Sequence, residues 1–156
     1  MKRYLTLLAA CCLLTAAGPA LAEQEVLLPQ SRYAVNVPDE MLFSAPGETD
    51  QGVAAYVSET LEMDYTAYPR EEAAGMADTL QETAEKLSEA GREAEVRLIC
   101  GIEMICFRHT DEADGAPCIG YIFEENGWII EIDFWYATAG AGAKTKEIME
   151  SIHPVV

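Results

Sequence analysis

The most restrictive feature of this 156-residue chain is the dipeptide Asn126-Gly127, set between two apolar runs, Cys118 to Glu124 and Trp128 to Tyr136. Both residues tolerate the positive φ that a two-residue type I′ hairpin turn requires. Side chains alternate across a strand, so the turn also dictates which residues oppose one another and which share a face. It pairs Phe123 with Ile130, Tyr121 with Ile132 and Ile119 with Phe134, six apolar side chains on one face. The opposite face pairs Ile122 with Glu131, Gly120 with Asp133 and Cys118 with Trp135. The same construction at Gly101-Ile102 opposes Leu98 to Ile105 and Val96 to Phe107 as a continuation of the core face. Met104, Cys106 and Arg108 then fall on the outer face.

The remaining elements follow from period and punctuation. Glu23 to Gln30 reads as a polar lead-in, and Tyr33, Val35 and Val37 as a half-buried strand ended by Pro38. Met41 to Gln51 is a loop. Val53 to Ser58 and Thr60 to Ala67 form a hairpin around Ser58-Glu59, with Leu61, Met63, Tyr65 and Ala67 alternating against Glu62, Asp64 and Thr66. After Pro69, the stripe Met76, Leu80, Ala84, Leu87 predicts a helix with Glu71, Glu72 and Asp78 near its start and Gly91 at its end. Four strands follow, interrupted by a polar loop from Asp111 to Pro117. A last helix starts near Ala139 to Ala143, buries Ala141, Thr145, Ile148 and Ile152, and is closed by His153 and Pro154. Strands joined in series by short turns imply antiparallel pairing. The class is α+β, a mostly meander sheet of about six to seven strands with two main helices packed on it.

Lys2 and Arg3, the apolar stretch Leu5 to Ala17 and the small residues of Ala20-Leu21-Ala22 have the form of a secretory leader cleaved after Ala22. The apolar stretch is shorter than the ~20 residues a spanning helix needs. A lipobox-like Leu8-Ala9-Ala10-Cys11 is the second option, ranked below simple export because it would leave Leu13, Leu14 and Leu21 on the chain. The expected layout is a leader over 1–22, a lead-in over 23–31 and one domain over 32–156. The whole chain holds 10 basic and 27 acidic residues, net −17. Removing Lys2 and Arg3 leaves 8 against 27, net −19. That sign opposes binding to nucleic acid or to anionic membrane surfaces, and no second apolar run long enough to span a bilayer follows the leader.

No motif in the chain predicts a catalytic residue, a cofactor or a metal. Cys-x-x-Cys and His-x-x-x-His are absent, Ala113 breaks the ligand alternation of Asp111 to Gly115, and no Gly-x-Ser-x-Gly, P-loop or dinucleotide fingerprint is present. Three cysteines follow the leader. Of these, Cys106 and Cys118 would point the same way on neighbouring strands, so a bridge between them is one option and three unpaired apolar thiols the preferred one. A Cys118–His109 nucleophilic pair is disfavoured because the two positions carry opposite parity. Glu131 and Asp133 sit two apart on one strand face, a spacing compatible with paired carboxylates and equally with a solvated face. The outer face, with Met104, Cys106, Ile122, Ile129 and Trp135, is too apolar to meet water. Either a helix covers it, or it is a partner or ligand surface anchored by Trp135 and flanked by Glu131 and Asp133.

The order of elements, with Tyr33 to Pro38 as Tyr-x-Val-x-Val-Pro and the ending Ile148-Met149-Glu150-Ser151-Ile152, resembles the PsbP/DcrB-like proteins over about Tyr33 to Ile152. The resemblance implies an antiparallel sheet sandwiched by helices, and an exported, non-enzymatic accessory or binding role. It carries over no site residue, because no family site position matches one here. The function expected from the sequence is therefore an exported binding domain for an unidentified protein or small ligand. The alternatives are a small thiol-dependent or hydrolytic enzyme and a subunit that self-associates through its sheet.

Overall fold

The computed structural model describes residues 23–45, 53–111 and 115–155. The proposed leader, part of the 41–51 loop and the centre of the Asp111–Gly115 turn lie outside them. The elements are β1 (Glu23–Leu27), β2 (Tyr33–Pro38), β3 (Leu42–Ser44), β4 (Ala54–Val57), β5 (Leu61–Pro69), a 3₁₀ turn (Arg70–Glu72), α1 (Leu80–Glu89), β6 (Glu93–Ile99), β7 (Ile102–Thr110), β8 (Pro117–Glu125), β9 (Trp128–Tyr136), α2 (Ala139–Glu150) and β10 (His153–Pro154). They build an antiparallel seven-stranded sheet, ordered β3-β4-β5-β9-β8-β7-β6, and a three-stranded sheet, ordered β1-β2-β10.

The hairpin at Asn126-Gly127 forms with φ of 51° and 78°. Its register matches the sequence reading pair for pair, from Cys118 opposite Trp135 to Phe123 opposite Ile130. The other hairpin differs. Its two turn residues are Cys100 and Gly101, with φ of 48° and 83°. Ile102, β-branched and ill-suited to positive φ, starts β7 instead. Val96 therefore opposes Ile105, and Leu98 opposes Glu103.

The face assignment on β7 is also reversed. Ile105 and Phe107 lie opposite Ile122 and Gly120, and Cys106 lies opposite Tyr121. Met104 and Cys106 therefore belong to the main core, while Ile105 and Phe107 join the outer side. Both parities of β7 are apolar because both faces of the sheet are covered there, so alternation alone carries no sign.

The main core lies between the large sheet and a second layer made of the small sheet and α2. Met63, Phe123, Ile130, Ile132 and Phe134 meet Val35, Val37, Met41, Ile148 and Met149 there. The residues predicted for the buried face of α2, Ala141, Thr145, Ile148 and Ile152, are all buried. The helix nonetheless ends at Glu150, and Ile152 lies beyond it. Thr138 caps its start by accepting from the Ala141 amide at 3.2 Å.

His153 does not end the helix. It sits in β10 opposite Ala34, its ring within hydrogen-bond distance of Glu25 (3.1 Å) and of the Ser151 carbonyl (2.8 Å). Likewise, the polar lead-in is a strand: β1 pairs along the length of β2.

On the other side of the large sheet, α1 begins at Leu80 behind the cap Thr79, so Met76 precedes the helix while still packing beside it. With Ala84, Leu80 and Leu87 it covers Ile105, Phe107, Ile122 and Ile129. Its closest neighbours are β6 and β7. The outer face of β4, and of β5 and β9 away from Tyr68 and Ile129, extends beyond it. Among the described residues, no helix is long and apolar enough to cross a membrane.

Candidate functional site

The outer face can be read as rows running from β5 to β7. One row is Glu62, Trp135, Cys118, His109; the next is Asp64, Asp133, Gly120, Phe107; the third is Thr66, Glu131, Ile122, Ile105. Each row is polar at the β5 end and apolar or aromatic at the β7 end, where α1 lies. Hence Ile122, an outer-face residue and binding candidate from sequence, is buried under the helix. Met104, also predicted for this face, is fully buried on the opposite one. Trp135, Asp133 and Glu131 do share the outer face.

The reversed parity of β7 also settles the cysteines. Cys106 opposes Tyr121 in the main core, while Cys118 opposes His109 and Trp135 on the outer face, so the sheet separates the two thiols. Cys100, Cys106 and Cys118 are all free. His109 and Cys118, assigned opposite parity from sequence, are instead direct cross-strand partners. Even so, Cys118 is buried. Burial, and then the charge of Asp133, push its thiol well above the ordinary range. A nucleophilic cysteine needs the reverse, an accessible site that favours the thiolate.

Asp133 lies directly across from Asp64. Its carboxyl is pushed up to about 7, first by burial and then by the charges of Glu131 and Asp64, with Arg92 acting against them. The Cys118 thiol donates to its Oδ1 at 3.9 Å. Glu131 accepts a 3.0 Å hydrogen bond from the Tyr68 hydroxyl, and that phenol is raised by burial and by the Glu131 charge. Gly120 makes room for this arrangement: a methyl there would overlap both the Phe107 ring and the Asp133 carboxylate.

Trp135 is partly buried and held edge-on against the His109 ring, with centroids 5.3 Å apart at 89°, and His109 in turn stacks on Phe107 at 5.9 Å. The indole borders a concavity of about 520 Å³ together with Glu59, Glu62, Asp64, Asp111 and Tyr136, and no basic side chain lines it among the described residues. Asp133 is not part of the lining; it lies beside Asp64 on the neighbouring strand as a partly buried carboxyl. Among the described residues, no group of three or more His, Cys, Asp or Glu side chains is placed to hold a metal ion.

Of the residues singled out from sequence, Trp135 lines this concavity, Glu131 and Asp133 share its sheet face outside the lining, and Asp64, Glu62 and Glu59 were not singled out. The alternation of Glu62 and Asp64 against apolar neighbours was visible. Their place beside Trp135 was not, because β5 meets β9 through no turn of its own.

No protein-family model matches the chain, and no curated protein matches it. Solved structures do. The solution structure of cyanobacterial PsbP (CyanoP) from Synechocystis sp. PCC 6803 superposes with a TM-score of 0.61 at 12% identity, over 90% of this chain and 98% of that one. A protein of Bacteroides thetaiotaomicron VPI-5482 superposes with a TM-score of 0.57 at 14% identity, over 85% of this chain and 48% of the other, so this chain spans about half its length. The fold is thus PsbP-like, as the order of elements implied.

Proposed function

We propose that this chain is an exported, non-enzymatic binding or accessory domain that recognises a lysine- or arginine-bearing segment of a partner protein at the open half of its outer sheet face. One observation carries this reading. An indole and four carboxylates, Glu59, Glu62, Asp64 and Asp111, line one open concavity, and no basic side chain lines it among the described residues. Carboxylates attract ammonium and guanidinium groups, and an aromatic ring adds about 0.5–1 kcal/mol for each cation at an exposed site. His109 holds the ring in place, so little side-chain freedom is lost when a ligand arrives. A net charge of −17 favours approach of the same class of partner. The PsbP-like fold is compatible with an accessory role, although fold by itself assigns no function.

The test is calorimetric titration with tetralysine, tetraarginine and tetraglutamate. The basic peptides are expected to bind with dissociation constants of about 10–500 µM, weakening as salt is raised, and the acidic peptide not at all. Trp135→Ala should weaken binding about two- to fivefold while leaving the melting curve of the fold recognisable. Equal heats from basic and acidic peptides, or an unchanged affinity in Trp135→Ala, would overturn the proposal. Export has its own check: sequencing of the secreted product should begin at Glu23, and a retained leader would contradict it.

A further inference from the structure

We infer that β6 is a self-complementary edge, and that two copies of this chain pair their β6 strands antiparallel about a twofold axis at Val96, joining two seven-stranded sheets into one. β6 ends the large sheet and is seven residues long, whereas the strand at the opposite edge, β3, has three. The two-residue turn at Cys100-Gly101 makes Ile99 and Ile102 the hydrogen-bonded closing pair. The backbone N–H and C=O groups of Ala94, Val96 and Leu98 therefore point away from β7, towards the open edge. Ser88 Oγ meets the Ala94 carbonyl at 3.2 Å. Among the described residues, those of Val96 and Leu98 meet nothing. Leu98 is also the most exposed large apolar side chain described, at 73%.

An open edge alone names no partner; the charges on this one do. With Val96 on the axis, Glu95 faces Arg97 of the partner subunit, and Arg97 faces the partner's Glu95. Leu98 lies beside the partner's Ala94. Moving the axis one residue in either direction sets Glu95 against the partner's Glu95, or Arg97 against the partner's Arg97. Like charges directly opposed destabilise a strand pair, and opposite charges support it. Within one chain Glu95 and Arg97 form an ion pair, and both side chains are at least half exposed, so both can be shared across the axis. The edge thus rejects most strands while accepting its own copy in one register. A twofold interface of this kind closes, and produces a dimer instead of a fibre.

Sedimentation velocity between about 5 and 300 µM protein in moderate salt tests this. A concentration-dependent dimer is expected. Arg97→Glu should weaken it at least tenfold, because it places acids opposite one another, and the double variant Glu95→Arg/Arg97→Glu should restore it. Leu98→Lys should weaken it as well, and Trp135→Ala should leave it intact, which separates this inference from the binding proposal. Circular dichroism of each variant confirms folding. A chain that stays monomeric throughout, an Arg97→Glu variant that dimerises like the parent, or a charge swap that fails to restore the dimer would each overturn it.

Discussion

At Gly120 a single methyl group would overlap an aromatic ring and a carboxylate at once. Overpacking of a buried site costs about 1–3 kcal/mol, so Gly120→Ala should lower the denaturant midpoint by that amount, and an unchanged midpoint would show that Phe107 and Asp133 move aside freely. The neighbouring Asp133 makes a prediction in pH. Its carboxyl titrates at about 7 in the fold, against an ordinary value of 3.8. The folded state therefore holds a proton that the unfolded chain releases. The stabilisation is complete below the ordinary carboxylate range and is lost as pH rises through about 7. Asp133→Asn should remove that dependence. Relative to the parent it should gain on the order of 1 kcal/mol, about 3–5 °C in melting temperature, at pH 8 over its position at pH 5. A difference between the two proteins that stays constant across this range would contradict the assignment. None of this is legible in the sequence, where Gly120 and Asp133 are simply a small and an acidic residue on an outer strand face. The burial that gives them meaning comes from β5 and α1.

The two hairpins of the large sheet show what a turn reveals. Asn126-Gly127 contains the residues best suited to two consecutive positive φ values, and its register could be read without error. Cys100-Gly101 takes the same conformation with a cysteine in the first position, a residue with no preference for it, and the sequence reading placed that turn one residue too late. Cys100→Asn should therefore stabilise the chain by about 0.5–1 kcal/mol, by relieving a left-handed conformation unfavourable to most side chains. Thermal unfolding measures this, and a loss of stability would show that the Cys100 contact with the Glu150 carbonyl (3.2 Å) outweighs the turn preference. β1 and β10 escaped the sequence reading for a different reason. Glu23, Gln24 and Glu25 are exposed or half-buried, and the His153–Pro154 strand is two residues long, so neither carries a period. Their pairing to β2 exists because β2 must cover the main core. The start of α1 was placed early because Met76 keeps the helical spacing, yet it packs from the preceding turn.

For the whole molecule, the α+β class was legible because consecutive strands joined by short turns leave few topologies, and the PsbP-like arrangement because the order of elements and the ending Ile148 to Ile152 resemble that family. The sidedness of β7 was not, since the large sheet is buried on both faces there, as it is over β8 and at Ile129 of β9. That asymmetry shapes the proposed site. Helix α1 shields the apolar half of the outer face and leaves the acidic half open, so the molecule presents an aromatic ring among carboxylates next to a fully packed support. Core truncation and surface truncation should therefore separate cleanly. Phe134→Ala, in the main core, should cost about 3–5 kcal/mol, whereas Trp135→Ala, one residue away on the opposite face, should affect binding far more than unfolding. The most direct measurement uses Trp135 as its own reporter. The chain has two tryptophans, so Trp128→Phe leaves Trp135 alone to emit. Titration of that variant with tetralysine should shift or quench its fluorescence with a saturating curve that weakens as salt increases. Emission that stays constant while binding is detected by calorimetry would place recognition elsewhere and contradict the account.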